Sequence, residues 1–145
     1  MTNEQIVTLI EQHIKSQMNR GISNESERES QLLDLYALGY LFGFSCGAFT
    51  HFKIKTYRDK IFLLSQIYSG IFGKYGRLLL QESLDLQNNR KFQEGANSGW
   101  EEISRYLHRE ETPFGLTRFL QDGQPTLSLT DWFPKLNDAA LLAFA

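Results

Sequence analysis

Three histidines, one cysteine and a line of glycines are the residues from which this sequence could build a site. His13, His51 and His108 lie far apart, and no two share a metal-ligand spacing. A helical di-iron centre needs Glu-x-x-His pairs, whereas the residues three before these histidines are Ile10, Ala48 and Arg105. That chemistry is excluded. A metal or acid–base site would need two histidines to converge with a carboxylate such as Glu101 or Glu102. The simpler reading puts His13 on a mostly polar helix, His108 at a charged helix end and His51 at the edge of the core. Cys46 stands between Ser45 and Gly47. A nucleophilic thiol needs a nearby base and a lowered pKa. His51, five positions on, is about 140° around a helix from it, so Cys46 reads as an ordinary buried thiol. Neither a P-loop nor a Gly-x-Ser-x-Gly elbow occurs. The residues call for no cofactor and no metal, and they lean away from an enzyme.

Gly39, Gly43 and Gly47 are four apart and share one line of a helix surface. Each costs roughly 0.5–1 kcal/mol of helix stability relative to alanine, so three in line imply that something approaches that backbone closely. Another helix of the same chain is the simplest occupant. A second copy of the chain is the next. The third is a small apolar ligand, with Tyr36, Tyr40, Phe42 and Phe49 as pocket walls. A second pattern, Tyr57, Ile61, Leu64, Tyr68, Ile71, Tyr75 and Leu78, follows the 3.5-residue repeat of closely aligned helices. The candidate interface or pocket residues are therefore Tyr36, Gly39, Tyr40, Gly43, Gly47, Tyr68 and Tyr75. Lys53, Lys55, Arg58 and Lys60 form a basic cluster interrupted by Asp59. It reads as the favourable positive end of a helix plus a solvated turn.

The elements that must position these residues are helices. Thr2 with Gln5 is a capping box, and Ile6, Ile10, Ile14 and Met18 then recur every four residues, giving an amphipathic helix over about 3–19 within segment 1–22. Residues 23–30 are a polar tether, inside which Ser26 and Glu29 suggest the next helix start. That helix, from about Glu27 to Phe52, is apolar on all sides and must be surrounded by others. The 3.5-residue seam follows, with a kink expected near Gly73–Gly76 and a further helix to about Asn88 or Lys91. Gly95 to Gly99 reads as loop and restart, Ser98 and Glu101 as a box opening a helix of about 99–111. Thr112-Pro113 opens a short helix ending at Asp122-Gly123. Residues 124–130 suit a short extended arm, and a last helix covers Asp131 to Phe144. Its uncharged end must dock on its own core or on a partner subunit, or stay exposed at a cost.

Composition agrees with a globular chain: 145 residues, 41% hydrophobic, 13% aromatic and 22% charged. Fifteen basic against seventeen acidic residues disfavour a nucleic-acid partner bound through bulk charge. One cysteine rules out an internal disulfide framework. Leu35 to Phe52 lacks charge but is short and only modestly apolar for a membrane span, and the polar, acidic amino terminus favours a cytoplasmic address. The expected fold is all-α: residues 1–145 as one bundle of six to seven helices around the buried glycine-bearing helix. The expected function is a non-enzymatic helical protein–protein interaction or regulatory module, homodimeric, binding a protein partner or itself. The alternative is a small-molecule binder whose apolar pocket lies on the glycine face.

Overall fold

The computed structural model describes residues 1–21, 34–109 and 111–122. Among them the chain is mostly helical and contains no strand. Helix α1 spans Asn3–Gly21. Its start is the reciprocal box expected: Gln5 N donates to Thr2 Oγ1 at 3.2 Å, and Thr2 N donates to Gln5 Oε1 at 2.9 Å. The stripe Ile6, Ile10, Ile14 and Met18 is buried along its length.

Helix α2 spans Leu35–His51, and every residue from Tyr36 to Phe49 is buried. It starts later than its apolar pattern suggests. Asp34 is extended, at φ −67° and ψ 143°, and its side chain accepts from Tyr36 N, so the helix starts there rather than near Glu27. Helix α3 spans Tyr57–Phe72, with Thr56 capping Asp59 N. A 3₁₀ turn, Gly73–Tyr75, follows, and then α4 over Gly76–Asp85. Gly73 has φ 62°, a conformation open to glycine, and it makes the expected break. Helix α5 spans Arg90–Arg109, with the side chain of Asn89 accepting from Phe92 N at 3.1 Å. Helix α6 spans Gly115–Asp122.

The sequence reading of Gly95 to Gly99 as a loop is wrong. These residues lie inside α5, and Ser98 is a buried mid-helix residue rather than a cap. Packing overrides the local preference, because the small residues of α5 lie against α2 along the length of both helices. The 3.5-residue seam is also only partly inside. Leu64 and Tyr68 are buried, while Tyr57, Tyr75 and Leu78 are more than half exposed. The tether 23–30, the Ser26–Glu29 box, the arm 124–130 and the helix over 131–144 lie outside the described residues. Among the described residues no helix is long and apolar enough to cross a membrane.

Candidate functional site

The glycine line is filled from within the chain. A Cβ on Gly39 would stand 2.9 Å from Phe92 Cα, and one on Gly43 would stand 2.5 Å from Ala96 Cα. The approach is reciprocal: a Cβ on Gly95 would stand 2.9 Å from Tyr40 N, and one on Gly99 would stand 2.7 Å from Phe44 N. Carbon atoms in ordinary contact sit about 3.5–4.0 Å apart, so α2 and α5 meet backbone to backbone. The face of Gly39, Gly43 and Gly47 is thus neither an open apolar pocket nor a free seam between copies; α5 occupies it. Of the proposed pocket walls, Tyr40, Phe42 and Phe49 are wholly buried, with Phe42 tilted against Phe92 at 5.5 Å between centroids.

Tyr36 and Tyr40 serve a polar junction that the spacing did not reveal. Tyr36 Oη donates to Ser98 Oγ at 2.7 Å, and its ring stacks on Phe119 of α6 at 4.4 Å. Tyr40 Oη donates to Glu102 Oε1 at 2.9 Å while accepting from Gln17 Nε2 at 2.8 Å. Glu102 Oε1 also accepts from Phe114 N at 2.8 Å and Gly115 N at 2.6 Å. Gln17 Oε1 accepts from Leu116 N at 2.9 Å and Thr117 N at 3.2 Å. The first amides of α6, which a helix leaves unpaired, are thereby capped by side chains from α5 and α1. Burial and the neighbouring carboxylates of Glu102 and Glu94 outweigh the bond to Ser98 and push the Tyr36 phenol up to about 12. Burial, then Glu102, pushes that of Tyr40 higher than the usual tyrosine range. Both phenols are neutral donors, and the Glu102 oxygen that would act as a base is engaged by Tyr40 Oη and by the Phe114 and Gly115 amides.

The remaining candidates for chemistry stand apart. His51 and His108, distant in sequence, are brought to 5.1 Å between ring centroids at the exposed end of the α2–α5 pair. Among the described residues no group of three or more His, Cys, Asp or Glu side chains is placed to hold a metal ion. His13 packs edge-on against Tyr106 at 4.3 Å, and burial, aided by Arg20, lowers its pKa. Cys46 is fully buried, and burial pushes its thiol up despite Lys60. A thiol so placed is inert rather than nucleophilic. A cleft of about 180 Å³ lies beside the α6 start, with Arg105, Glu111, Pro113 and Arg118 in its walls.

The two outer tyrosines of the candidate set separate. Tyr68 is buried and donates to Ser83 Oγ of α4 at 2.8 Å, which joins α3 to α4. Tyr75 is 56% exposed, with Lys74 Nζ 5.1 Å from the centre of its ring. Tyr57, Phe62, Tyr75 and Leu78 are four of the six large hydrophobic side chains that stand exposed among the described residues. All four belong to the hairpin of α3, the 3₁₀ turn and α4. Phe62 lies off the 3.5-residue pattern, which is the signal that would have marked it as outward-facing. Comparison with protein-family models, curated proteins and solved structures finds no match for this chain.

Proposed function

We propose that this chain is a non-enzymatic helical interaction module that docks on another polypeptide through its α3–α4 hairpin. The single observation that carries the reading is the concentration of exposed Tyr57, Phe62, Tyr75 and Leu78 on that one hairpin. Exposed aliphatic side chains scattered singly are ordinary, whereas aromatic and large apolar groups gathered on one element mark contact surfaces. The hairpin also sits at the edge of the fold, since α4 packs mainly on α3 and only slightly on α2. Of the buried polar side chains outside the hairpin, Gln17, Tyr40 and Glu102 have partners within the chain, whereas the Asn97 amide of α5 has none among the described residues.

Native mass spectrometry of the protein purified gently from its own host tests this reading. The expected result is an association with a second polypeptide, of the same or another sequence, that Phe62→Glu removes while the helical circular dichroism persists. A bare single chain at every concentration, with no polypeptide bound, overturns it. A small molecule lost on denaturation would instead favour a ligand binder.

A further inference from the structure

Helix α4 carries its charges the wrong way round for a lone helix. Arg77 lies in its first turn and Lys74 just before it, whereas Glu82 and Asp85 lie at its end. The macrodipole prefers acidic groups at the start and basic groups at the end. All four charged residues are exposed, as are Leu78 and Gln81. At 100° per residue, these six fall within an arc of about 140°. No ion pair among the described residues uses Arg77, Glu82 or Asp85. The contacts at this face are the 5.1 Å approach of Lys74 to Tyr75 and a 3.5 Å bond from Gln81 to Asp85.

We infer that α4 is the isologous seam of a homodimer, pairing antiparallel with α4 of a second copy of this chain. This rests on the reading of the hairpin as the docking element, and it names the occupant. The argument is charge complementarity under a two-fold axis, where a residue facing its opposite must be faced by it in turn. A single antiparallel register places Lys74 opposite Asp85 near the middle of the face, a pair that occurs twice, while Arg77 and Glu82, about 140° apart on the helix, take its two edges. The same register sets Leu78 beside Gln81 near the axis. Tyr75 flanks this strip, and the two helix dipoles run opposite to each other. Another protein would need only a complementary surface, but a sequence whose two ends complement each other in one register specifies itself. A helix of ten residues is about 15 Å long, short for a standard interface of about 800 Å² per partner. The association is therefore weak and depends on concentration and on salt.

The test is a charge swap on the full chain, read by analytical ultracentrifugation with helical content checked in parallel. Lys74→Glu sets Glu against Asp85 twice, and Asp85→Lys sets Lys against Lys74 twice. Each variant alone is expected to lose about tenfold or more in self-association, as juxtaposed like charges do. Mixing the two variants sets an acidic against a basic residue at both contacts and restores the dimer, and so does the double variant within one chain. A monomeric wild type, single variants that dimerise as the wild type does, or a mixture that stays monomeric each overturns the inference. If the swap fails while Phe62→Glu still abolishes binding to a different polypeptide, the seam is wrong and the interaction module stands.

Discussion

Replacing Gly43 with alanine adds one methyl group where α2 and α5 are closest. A Cβ there would stand 2.5 Å from Ala96 Cα and would also overlap the Ala96 carbonyl. Restoring carbon contact requires the two helices to part locally by roughly 1 Å, because a backbone cannot swing aside as a side chain can. Overpacking of this kind costs about 1–3 kcal/mol. The upper end applies, since the close approaches at Gly39, Gly95 and Gly99 open together. Alanine returns about 0.5–1 kcal/mol through helix propensity. The net loss is about 2 kcal/mol, which lowers the melting temperature by roughly 4–8 °C for a chain of this length. Gly70→Ala goes the other way. The atoms nearest its Cβ are the carboxylate end of Glu11, which can move, so propensity wins and the variant gains about 0.5–1 kcal/mol. Gly47→Ala falls between, meeting the Ile103 Cγ2 methyl at 2.7 Å and Trp100 Cα at 3.3 Å. Urea unfolding followed by far-ultraviolet circular dichroism ranks the four proteins. The expected order is Gly70→Ala, wild type, Gly47→Ala and Gly43→Ala, from most to least stable. Equal stability of the Gly43 and Gly70 variants would refute the reasoning, because the close approach would then exert no force on an added methyl.

Glu102→Ala removes the acceptor of Tyr40 Oη, Phe114 N and Gly115 N; with about 1–3 kcal/mol per buried donor left unpaired, α6 opens first. Amide exchange over 116–122 reads this, and unchanged protection there contradicts it. Cys46 is expected to resist an aromatic disulfide reagent in the native protein and to react once urea unfolds it, since it is wholly buried and its thiol is held protonated; rapid reaction without unfolding would count against the packing around it. Alkali destabilises the fold through Tyr36, whose phenol rises from 10.0 to about 12 mainly by burial. The neutral form is the one favoured by folding, so its contribution is complete below pH 10 and is lost as pH rises through 12. Tyr36→Phe should flatten the fall of stability across that window, and an unchanged slope would assign it to other groups.

How much of this was legible in the sequence follows from the range of the interactions. The stripe of α1, its Thr2–Gln5 box, the apolar circumference of α2 and the break at Gly73 are local patterns, and the structure has them. Gly95 to Gly99 misled because five small residues read locally as a loop, and only α2 lying against them makes them helix. The spacing of Gly39, Gly43 and Gly47 announced a close approach but not its partner, since the answering residues stand more than fifty positions away. Gln17 lies off the every-fourth-residue apolar stripe of α1, where an amphipathic pattern places polar side chains in solvent. Its role rests on Leu116 and Thr117, 99 and 100 residues on, and no periodicity within α1 can signal that. Tyr36 and Tyr40 stand out in the sequence as pocket walls or interface residues, whereas the structure uses their hydroxyls. His51 and His108 meet because α2 and α5 end together, another fact of pairing rather than of spacing.

The two helical pairs differ in what they leave for a partner. Between α2 and α5, glycines on both sides bring backbone against backbone, so that surface is consumed within the chain and has no slack to offer. Natural sequences tend to agree with their fold at every level, and a local conflict marks a place where something else is served. Helix α4 shows such a conflict: its basic residues stand at the end its dipole makes positive, and its acidic residues stand at the other. Each misplaced charge costs a few tenths of a kcal/mol, up to about 1, in an isolated exposed helix. An antiparallel partner cancels both penalties at once, because each end then faces opposite charge and an opposed dipole. Salt screens the penalty within the lone chain and the attraction between copies alike. Raising ionic strength should therefore weaken the dimer while leaving the melting temperature of the monomeric charge variants unchanged or slightly raised. A dimer that tightens with salt would place the apolar residues, not the charges, in control of the pairing.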